Sequence, residues 1–444
     1  MMTSDLPHPT EAFVWTWLAG ATAPVVAGRL IARDDMVRFA YGRSYLARAD
    51  AQPLYEPELP LRSGLLPLPA GMTIPSAIRD AAPDAWGRRV ILNRAFGVKG
   101  DALNDVRLDE LVFLLESGSD RIGAIDFQRS AEIYAPRATT ATLDQLMASA
   151  ARVEQNLPLS AELDQALHHG SSIGGARPKA LVTAGQRKFV AKFSSTGDVY
   201  SVVRAEYVAM RLAALAGLNV AGVTLEHVSG RDVLLIDRFD RIAAGDDQWT
   251  RRAMVSALTM LGLDEMMARY ASYEDLAEIV RHRFADPGKT LRELFGRITF
   301  NILAGNTDDH ARNHAAFWDG AALTLTPAYD ICPQGRAGQE ATQAMLIVGD
   351  DRSSRIETAL AAAPHFHLDE AAATALIAAQ VRVIGDKWHA VCDEAGMGAV
   401  DRAFLWGRQF LNPYTTIGLR SAAASLDVLV AGVREGRDGD ATGV

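Results

Sequence analysis

Only two cysteines, Cys332 and Cys392, occur in 444 residues. That excludes a disulfide framework and fits a reducing compartment. Lysine is also scarce. It stands only at positions 99, 179, 188, 192, 289 and 387, whereas Lys and Arg together number 45. In a background that otherwise uses arginine, a lysine marks a position suited to a compact ammonium. Positive charge is in deficit, with 54 acidic residues giving a formal net charge of −9, and no basic run is present. Nucleic-acid binding through the chain's own surface is therefore not expected as its main role. No stretch holds the ~18 uninterrupted apolar residues of a membrane-spanning helix. The opening MMTSDLPHPT has no basic segment leading into an apolar one, so no secretory signal is expected. These absences together predict a cytoplasmic protein with no membrane contact. Internal repeats and low-complexity blocks are missing too.

What is present is the balance of an ordinary folded chain, 49% hydrophobic and 22% charged. At roughly 100–200 residues per domain, two or three domains or lobes are expected. Residues 22–50 alternate and carry turn signals, which predicts antiparallel strands. Residues 51–75, rich in Pro and Leu, read as an irregular covering loop. IRDAAPDAWGRRVILNRAFG and LDELVFLLES read as helices, and SDRIGAIDF as a strand. A helix over 141–156 leads into strands KALVTA, KFVAKFS, VTLEHVS and DVLLIDRFD. The helical VVRAEYVAMRLAALAG is inserted among them and stops at Gly217. Beyond residue 250 the pattern is mostly helical, with stretches at 251–262, 272–283, 289–304, 367–380 and 383–396. Two apolar runs joined at Asp319-Gly320 predict a hairpin, and the tail from 434 reads as frayed. The boundaries expected are an α+β unit over 1–135, a mixed sheet with one helix over 136–240, and a helical unit over 241–444.

The segment NILAGNTDDHARNHAAFWDG (301–320) is the most informative. It gathers Asn306, Asp308, Asp309, His310, Asn313 and His314 between an apolar helix and the hairpin. A solvated Asp/Asn loop is the bland alternative. Asp308 and Asn313 have the D-x-x-x-x-N spacing of a kinase catalytic loop, and Asp330 closes the hairpin where a kinase carries a metal-binding Asp. Phosphoryl transfer needs a carboxylate at the attacking hydroxyl and hard oxygen ligands for Mg²⁺. Asp308 suits the first role, and Asn313 and Asp330 suit the second. A metallohydrolase competes, because His310 and His314 lie four apart, but no Glu occupies the H-E-x-x-H position. Lys192 ends the β-patterned FVAK, and Glu206 follows on the inserted helix, as a phosphate-binding lysine and its helix glutamate would. Upstream, SSIGGARPKA offers Gly174 and Gly175 for close phosphate approach, beside Arg177 and Lys179. Asp237 and Phe239 end an apolar strand at the place of an adenine-binding hinge.

In this order the segments SSIGGARPKALV, FVAKF, RAEYVAMRLAALAGL, LLIDRFDR, FNILAGNTDDHARNHAAF and LTPAYDI resemble the HipA family of serine/threonine kinases, toxins of bacterial type II toxin–antitoxin modules. The 22–130 region resembles that family's N-terminal domain. The resemblance implies an α+β, two-lobe protein-kinase-like fold with an N-terminal α+β subdomain and a mostly helical C-terminal lobe. It implies that Asp308 is the catalytic base, that Asn313 and Asp330 hold Mg²⁺, and that Lys192 contacts the ATP phosphates. Asp237 and Phe239 would sit at the adenine, His310 near the phosphates, and Lys179 in the phosphate loop. The family often carries Glu where this chain has Asp237. Ser172, or the adjacent Ser171, matches a loop serine whose autophosphorylation shuts off ATP binding. Implied partners are a HipB-like helix-turn-helix antitoxin, DNA chiefly through that antitoxin, and a protein substrate such as an aminoacyl-tRNA synthetase. Phosphorylation of that substrate would stall translation and favour persistence. Two other readings use the same residues differently: a small-molecule phosphotransferase, and a non-catalytic co-repressor.

Overall fold

The computed structural model describes residues 9–96, 109–137, 143–154, 179–195, 198–336, 338, 340–419 and 423–441. The chain divides into two compact units. One comprises 1–195, 226–255 and 317–321, and the other comprises 196–225, 256–316 and 322–444. The fold is α+β.

The first unit holds two four-stranded sheets. In the N-terminal sheet β1 (Glu11–Thr16), β2 (Val25–Arg33), β3 (Met36–Tyr41) and β4 (Ile125–Gln128) run in the order β3-β2-β1-β4. Asp34 and Asp35 both take positive φ between β2 and β3, the backbone that matches the twist of a two-residue hairpin. Residues 51–75 lack regular elements, as expected. The helix expected over IRDAAPDAWG is interrupted: Ser76–Arg79 is one short turn, and α1 (Ala85–Phe96) begins after Pro83. Asp84 caps this second start by accepting from the Gly87 amide at 2.9 Å. Helix α2 (Glu110–Glu116) precedes β4, and α3 (Leu143–Glu154) follows it.

The second sheet contains β5 (Lys179–Ala184), β6 (Arg187–Phe193), β7 (Val223–Val228) and β8 (Arg231–Asp237) in the order β5-β6-β8-β7. Alternation gives it two distinct faces. Ala180, Phe189, Ala191, Phe193, Val233 and Leu235 form one core with Trp86 and Val90 of α1 and Leu146 and Met147 of α3. The intervening positions, including Lys179 and Lys192, belong to the other face. Strands β9 (Arg241–Ala243) and β10 (Trp249–Arg251) pair as a separate ribbon.

The helix expected over 251–262 forms only at Ala257–Met260, because β10 and β11 (Met254–Ser256) occupy the residues before it. Aromatic partners override the helical pattern here. The Arg251 guanidinium lies 3.4 Å from the Trp17 ring centre, and that of Arg252 lies 3.1 Å from Phe317. The expected hairpin is present as β12 (Ala315–Trp318) and β13 (Leu323–Leu325), in a sheet of order β11-β12-β13. Gly320 supplies its turn at φ +100°.

The second unit is mainly helical. It contains α4 (Val202–Leu215), α5 (Tyr273–Arg283), α6 (Pro287–Ala304), α7 (Glu370–Glu394) and α8 (Ala424–Ala441). Helix α4 ends at Gly217, φ +89°, where the sequence placed its stop. Where two helices were expected over 367–396, α7 is continuous. It packs on α4, α6 and α8. The tail expected to fray from 434 instead continues α8 to Ala441. Trp406 fastens that helix by donating its indole N–H to the Arg434 carbonyl at 3.3 Å.

Candidate active site

The catalytic-loop candidate is set by the end of α6. Asp286 caps the helix start by accepting from the Lys289 amide at 3.2 Å, and Pro287 fills the first turn. The helix ends at Gly305, φ +71°. A Cβ there would stand 2.7 Å from the Gln409 carbonyl oxygen, so both conformation and space require glycine. Residues 306–314 then run without helix. His310 and His314, the pair on which the competing metallohydrolase reading rested, therefore share no helix, and His314 Nε2 is directed at Asp309, 3.1 Å away.

Asp308 stands exposed on this loop. Partial desolvation of its carboxyl raises its pKa, as do the nearby charges of Asp330 and Asp309, while His310 opposes them. Asn313 donates from Nδ2 to the Asp308 carbonyl at 3.1 Å, which leaves its Oδ1 as the atom with cation-binding chemistry. Asp330 has a left-handed backbone, φ +61°. Such a conformation in a non-glycine residue stores strain and is tolerated where the surroundings impose it. The adjoining residues do so. Tyr329 donates its hydroxyl to the Arg312 carbonyl at 2.7 Å, and the amide of Ala328 donates to Asn219 O at 2.7 Å. His310 Nδ1 and Asn306 Oδ1 are buried and have no hydrogen-bond partner among the described residues. Glu206 is buried on α4.

In the first unit, Lys179 and Lys192 are direct cross-strand partners. They are only 4% and 8% exposed and lie on the face opposite the hydrophobic core. Asp237 ends β8 opposite Phe189, and its carboxylate accepts from Arg187 at 2.7 Å. Phe239 meets Phe317 edge to face at 5.8 Å. Ser171, Ser172, Gly174, Gly175 and Arg177 lie outside the described residues.

Sequence reasoning missed two buried clusters. One surrounds Asp309, read as part of the loop without a role of its own. It is 3% exposed and accepts hydrogen bonds from the Tyr273 hydroxyl, from Asn301 Nδ2 at 2.7 Å and from His314 Nε2. Burial would raise its pKa, but His314 and these donors hold it below the usual carboxylate value. The other cluster flanks the adenine-site candidates. Arg238, 2% exposed at its side chain, pairs with Asp240 at 2.7 Å and with Asp120 at 3.2 Å. Arg241 pairs with the same two carboxylates, each at 2.9 Å, and Lys188 reaches Asp120 at 2.5 Å. The only sequence signals for these clusters were the doubled Asp at 308–309 and the alternating charges of DRFDR.

Among the described residues no three His, Cys, Asp or Glu side chains converge as a metal site. An Asp–Asn pair completed by phosphate oxygens and water is a different donor set, and one that suits Mg²⁺. Nor is any described helix long and apolar enough to cross a membrane.

Comparison with known proteins matches residues 21–128 to the HipA N-terminal domain and 171–388 to the HipA-like C-terminal domain. The putative kinase Y4mE of Sinorhizobium fredii is 30% identical over 147 residues, 32% of this chain and 33% of that protein. The serine/threonine-protein kinase toxin HipA of Shewanella oneidensis is 26% identical over 183 residues, 36% of this chain and 42% of that protein. The alignments thus span a third to two-fifths of these curated relatives. A solved chain from the toxin–antitoxin complex of HipA, HipB and operator DNA of Shewanella oneidensis MR-1 shares the fold. Its TM-score is 0.65, with 19% identity and 95% of both chains covered. The two domain models, in family order and together covering most of the sequence, establish that this chain belongs to the HipA family.

Proposed function

We propose that the protein is an ATP-dependent serine/threonine protein kinase that serves as the toxin of a toxin–antitoxin pair. The observation that carries this reading is the second unit's acidic site. There Asp308, its pKa raised by partial desolvation and by the charges of Asp330 and Asp309, stands on a loop that Asn313 braces and that two buried orphan polar atoms flank. A cation held near these like charges would ease their mutual repulsion. The donor set therefore fits Mg²⁺, which would be held by Asp330 and Asn313 and would neutralise phosphate charge when bound. Asp308 would orient the attacking hydroxyl and accept its proton. Lys192 and Lys179 of the first unit would attract the ATP phosphates together with Gly174 and Gly175, and His310 of the second unit would lie near those phosphates. Asp237 and Phe239 would border the adenine, and Glu206 would pair with Lys192.

The names of the curated relatives support the kinase and toxin assignments, and that of the solved complex supports a HipB-like antitoxin as partner. With a net charge of −9, DNA contact would be made mainly by that antitoxin. An aminoacyl-tRNA synthetase is the proposed phosphoacceptor, its modification arresting growth. Autophosphorylation at Ser172 would place a charge near −2 in a loop that must accept phosphates, and like-charge repulsion would eject the loop.

The test is intact and peptide mass spectrometry after incubation with Mg·ATP, with Asp308→Ala as control. Phosphate on the peptide containing residues 171–172, absent from the control, supports the kinase reading and its autoregulation. Nucleotide binding without phosphate on this chain or on any protein acceptor, but with turnover of a small hydroxyl compound, would replace it with small-molecule phosphotransfer.

A further inference from the structure

We propose that Asp309 is the positioning residue of the active site: its buried carboxylate fixes the spacing between the Asp308 loop and Asp330. The inference rests on the kinase reading for its catalytic consequence, but its structural basis is independent of that reading. Asp309 draws together three separate elements. Tyr273 comes from the first residue of α5, Asn301 from the last turn of α6, and His314 from the residue before β12. The Tyr273 ring also stands edge-on to His314, with centres 5.4 Å apart. A carboxylate whose acceptor sites are taken by three donors from different elements has little freedom to rotate or shift. Its neighbour in the chain is Asp308, so the peptide that carries the proposed base is held from beneath.

The network continues towards the second aspartate. Asn301 gives its Nδ2 to Asp309 at 2.7 Å and takes the Nδ2 of Asn306 on its Oδ1 at 3.1 Å. That same Asn306 Nδ2 lies 3.4 Å from the Asp330 carbonyl oxygen. Asn306 is fixed at its backbone as well, its amide donating to Asn301 O at 2.9 Å. A continuous polar path therefore runs from Asp309 through Asn301 and Asn306 to the backbone of Asp330, where φ is positive. Asp309 need not touch nucleotide or acceptor. It acts through the two aspartates that would.

The experiment uses the full chain and two variants, Asp309→Asn and Tyr273→Phe. Three quantities are read on each: nucleotide affinity and binding stoichiometry by calorimetry, kcat per nucleotide-binding site, and amide hydrogen exchange across 305–314 and 328–332. Asp309→Asn is expected to lower kcat by about 10- to 100-fold, the usual effect of losing an outer support. ATP affinity should stay within about 3-fold of wild type, since the residue does not contact nucleotide. Exchange should rise in both segments together. Tyr273→Phe removes one of the three donors and leaves the charge, so it should show a smaller change of the same kind. It also keeps the test informative if Asp309→Asn does not fold. Normal kcat per site and unchanged exchange in either folded variant would overturn the proposal. Faster exchange in 305–314 alone, with 328–332 unaffected, would also overturn it, because the coupling to Asp330 would be absent. If wild-type protein transfers no phosphate to any acceptor, the kinase reading fails. The exchange measurement then still decides whether Asp309 couples the two segments.

Discussion

Asp308 and Asp330 are close enough for each charge to matter to the other, yet their proposed tasks differ. Asp308→Ala removes the proposed base and leaves the phosphate clamp, so phosphotransfer should fall by about 10²–10⁴-fold with ATP affinity little changed. Asp330→Ala should lose transfer and Mg·ATP affinity together. Single-turnover assays beside calorimetry separate the two outcomes. The raised pKa of Asp308 also has a consequence for stability. The folded protein binds this proton more tightly than the unfolded chain. The linked stability is therefore full below the ordinary carboxylate pKa and is lost as pH rises through the raised folded value. Asp308→Asn should accordingly raise Tm slightly near pH 7.5, with the gain vanishing as pH falls towards the ordinary carboxylate range. Differential scanning calorimetry across that range checks the sign. Residues with proposed chemical roles stood out in the sequence because their spacing and order could be compared with a known pattern. Asp309 was not, because an aspartate that accepts from three buried donors looks in sequence like one more charge in a solvated loop.

Elements were legible where pattern and stop signals agreed, as in α4 with Gly217 and in the hairpin at Asp319-Gly320. They failed where tertiary contacts outweighed local preference. The residues read as helix over 251–256 instead end β10 and form β11, where Arg251 and Arg252 meet aromatic faces. Helix α7 continues through Gly385, where the missing side chain admits Val433 of α8: a Cβ there would stand 2.6 Å from Val433 Cγ1. Gly305 shows the same dependence on unseen neighbours. Its role as a helix stop is visible in sequence, but the approach of the Gln409 carbonyl is not. Gly305→Ala should cost about 1–2 kcal/mol from backbone conformation alone. The clash with Gln409 O adds to that and displaces the start of the catalytic loop. Urea denaturation should show the stability loss, and kcat should fall in the protein that remains folded.

At the scale of the molecule, the buried charge cluster links the N-terminal region to the sheet that carries Lys192. Asp240 accepts from Arg238, from Arg241 and from the Gly123 amide at 2.9 Å, while Arg121, fully buried, pairs with Asp126 at 2.8 Å. Burial would raise the pKa of Asp240, but Arg238 and Arg241 hold it below the usual value. A depressed carboxylate contributes stability that is present above its unfolded pKa and is lost as pH falls through the folded one. Asp240→Ala removes one of the two carboxylates that Arg238 and Arg241 share, and breaking such a buried network costs about 3–5 kcal/mol. Urea titrations at neutral pH should show that loss, and the gap to wild type should narrow below about pH 4 as the native carboxylate is protonated. Beyond the alternating charges of DRFDR no local pattern announces this cluster, since its members come from residues 120–126, 188 and 238–241 and acquire meaning only when the chain brings them together.

That cluster also limits how the gene can be rearranged. The two family models end and begin between residues 128 and 171, which suggests a natural point for exchanging modules. Yet the compact first unit runs across that interval and takes in residues 226–255 as well. A recombinant that joined the first half of one relative to the second half of another would inherit Asp120 from one parent and Arg238 and Arg241 from the other. Unless the charges matched, such a chimera would keep Asp240 beside Arg238 and Arg241 but lose the second carboxylate they share. The two halves are therefore expected to descend together, as a single heritable block.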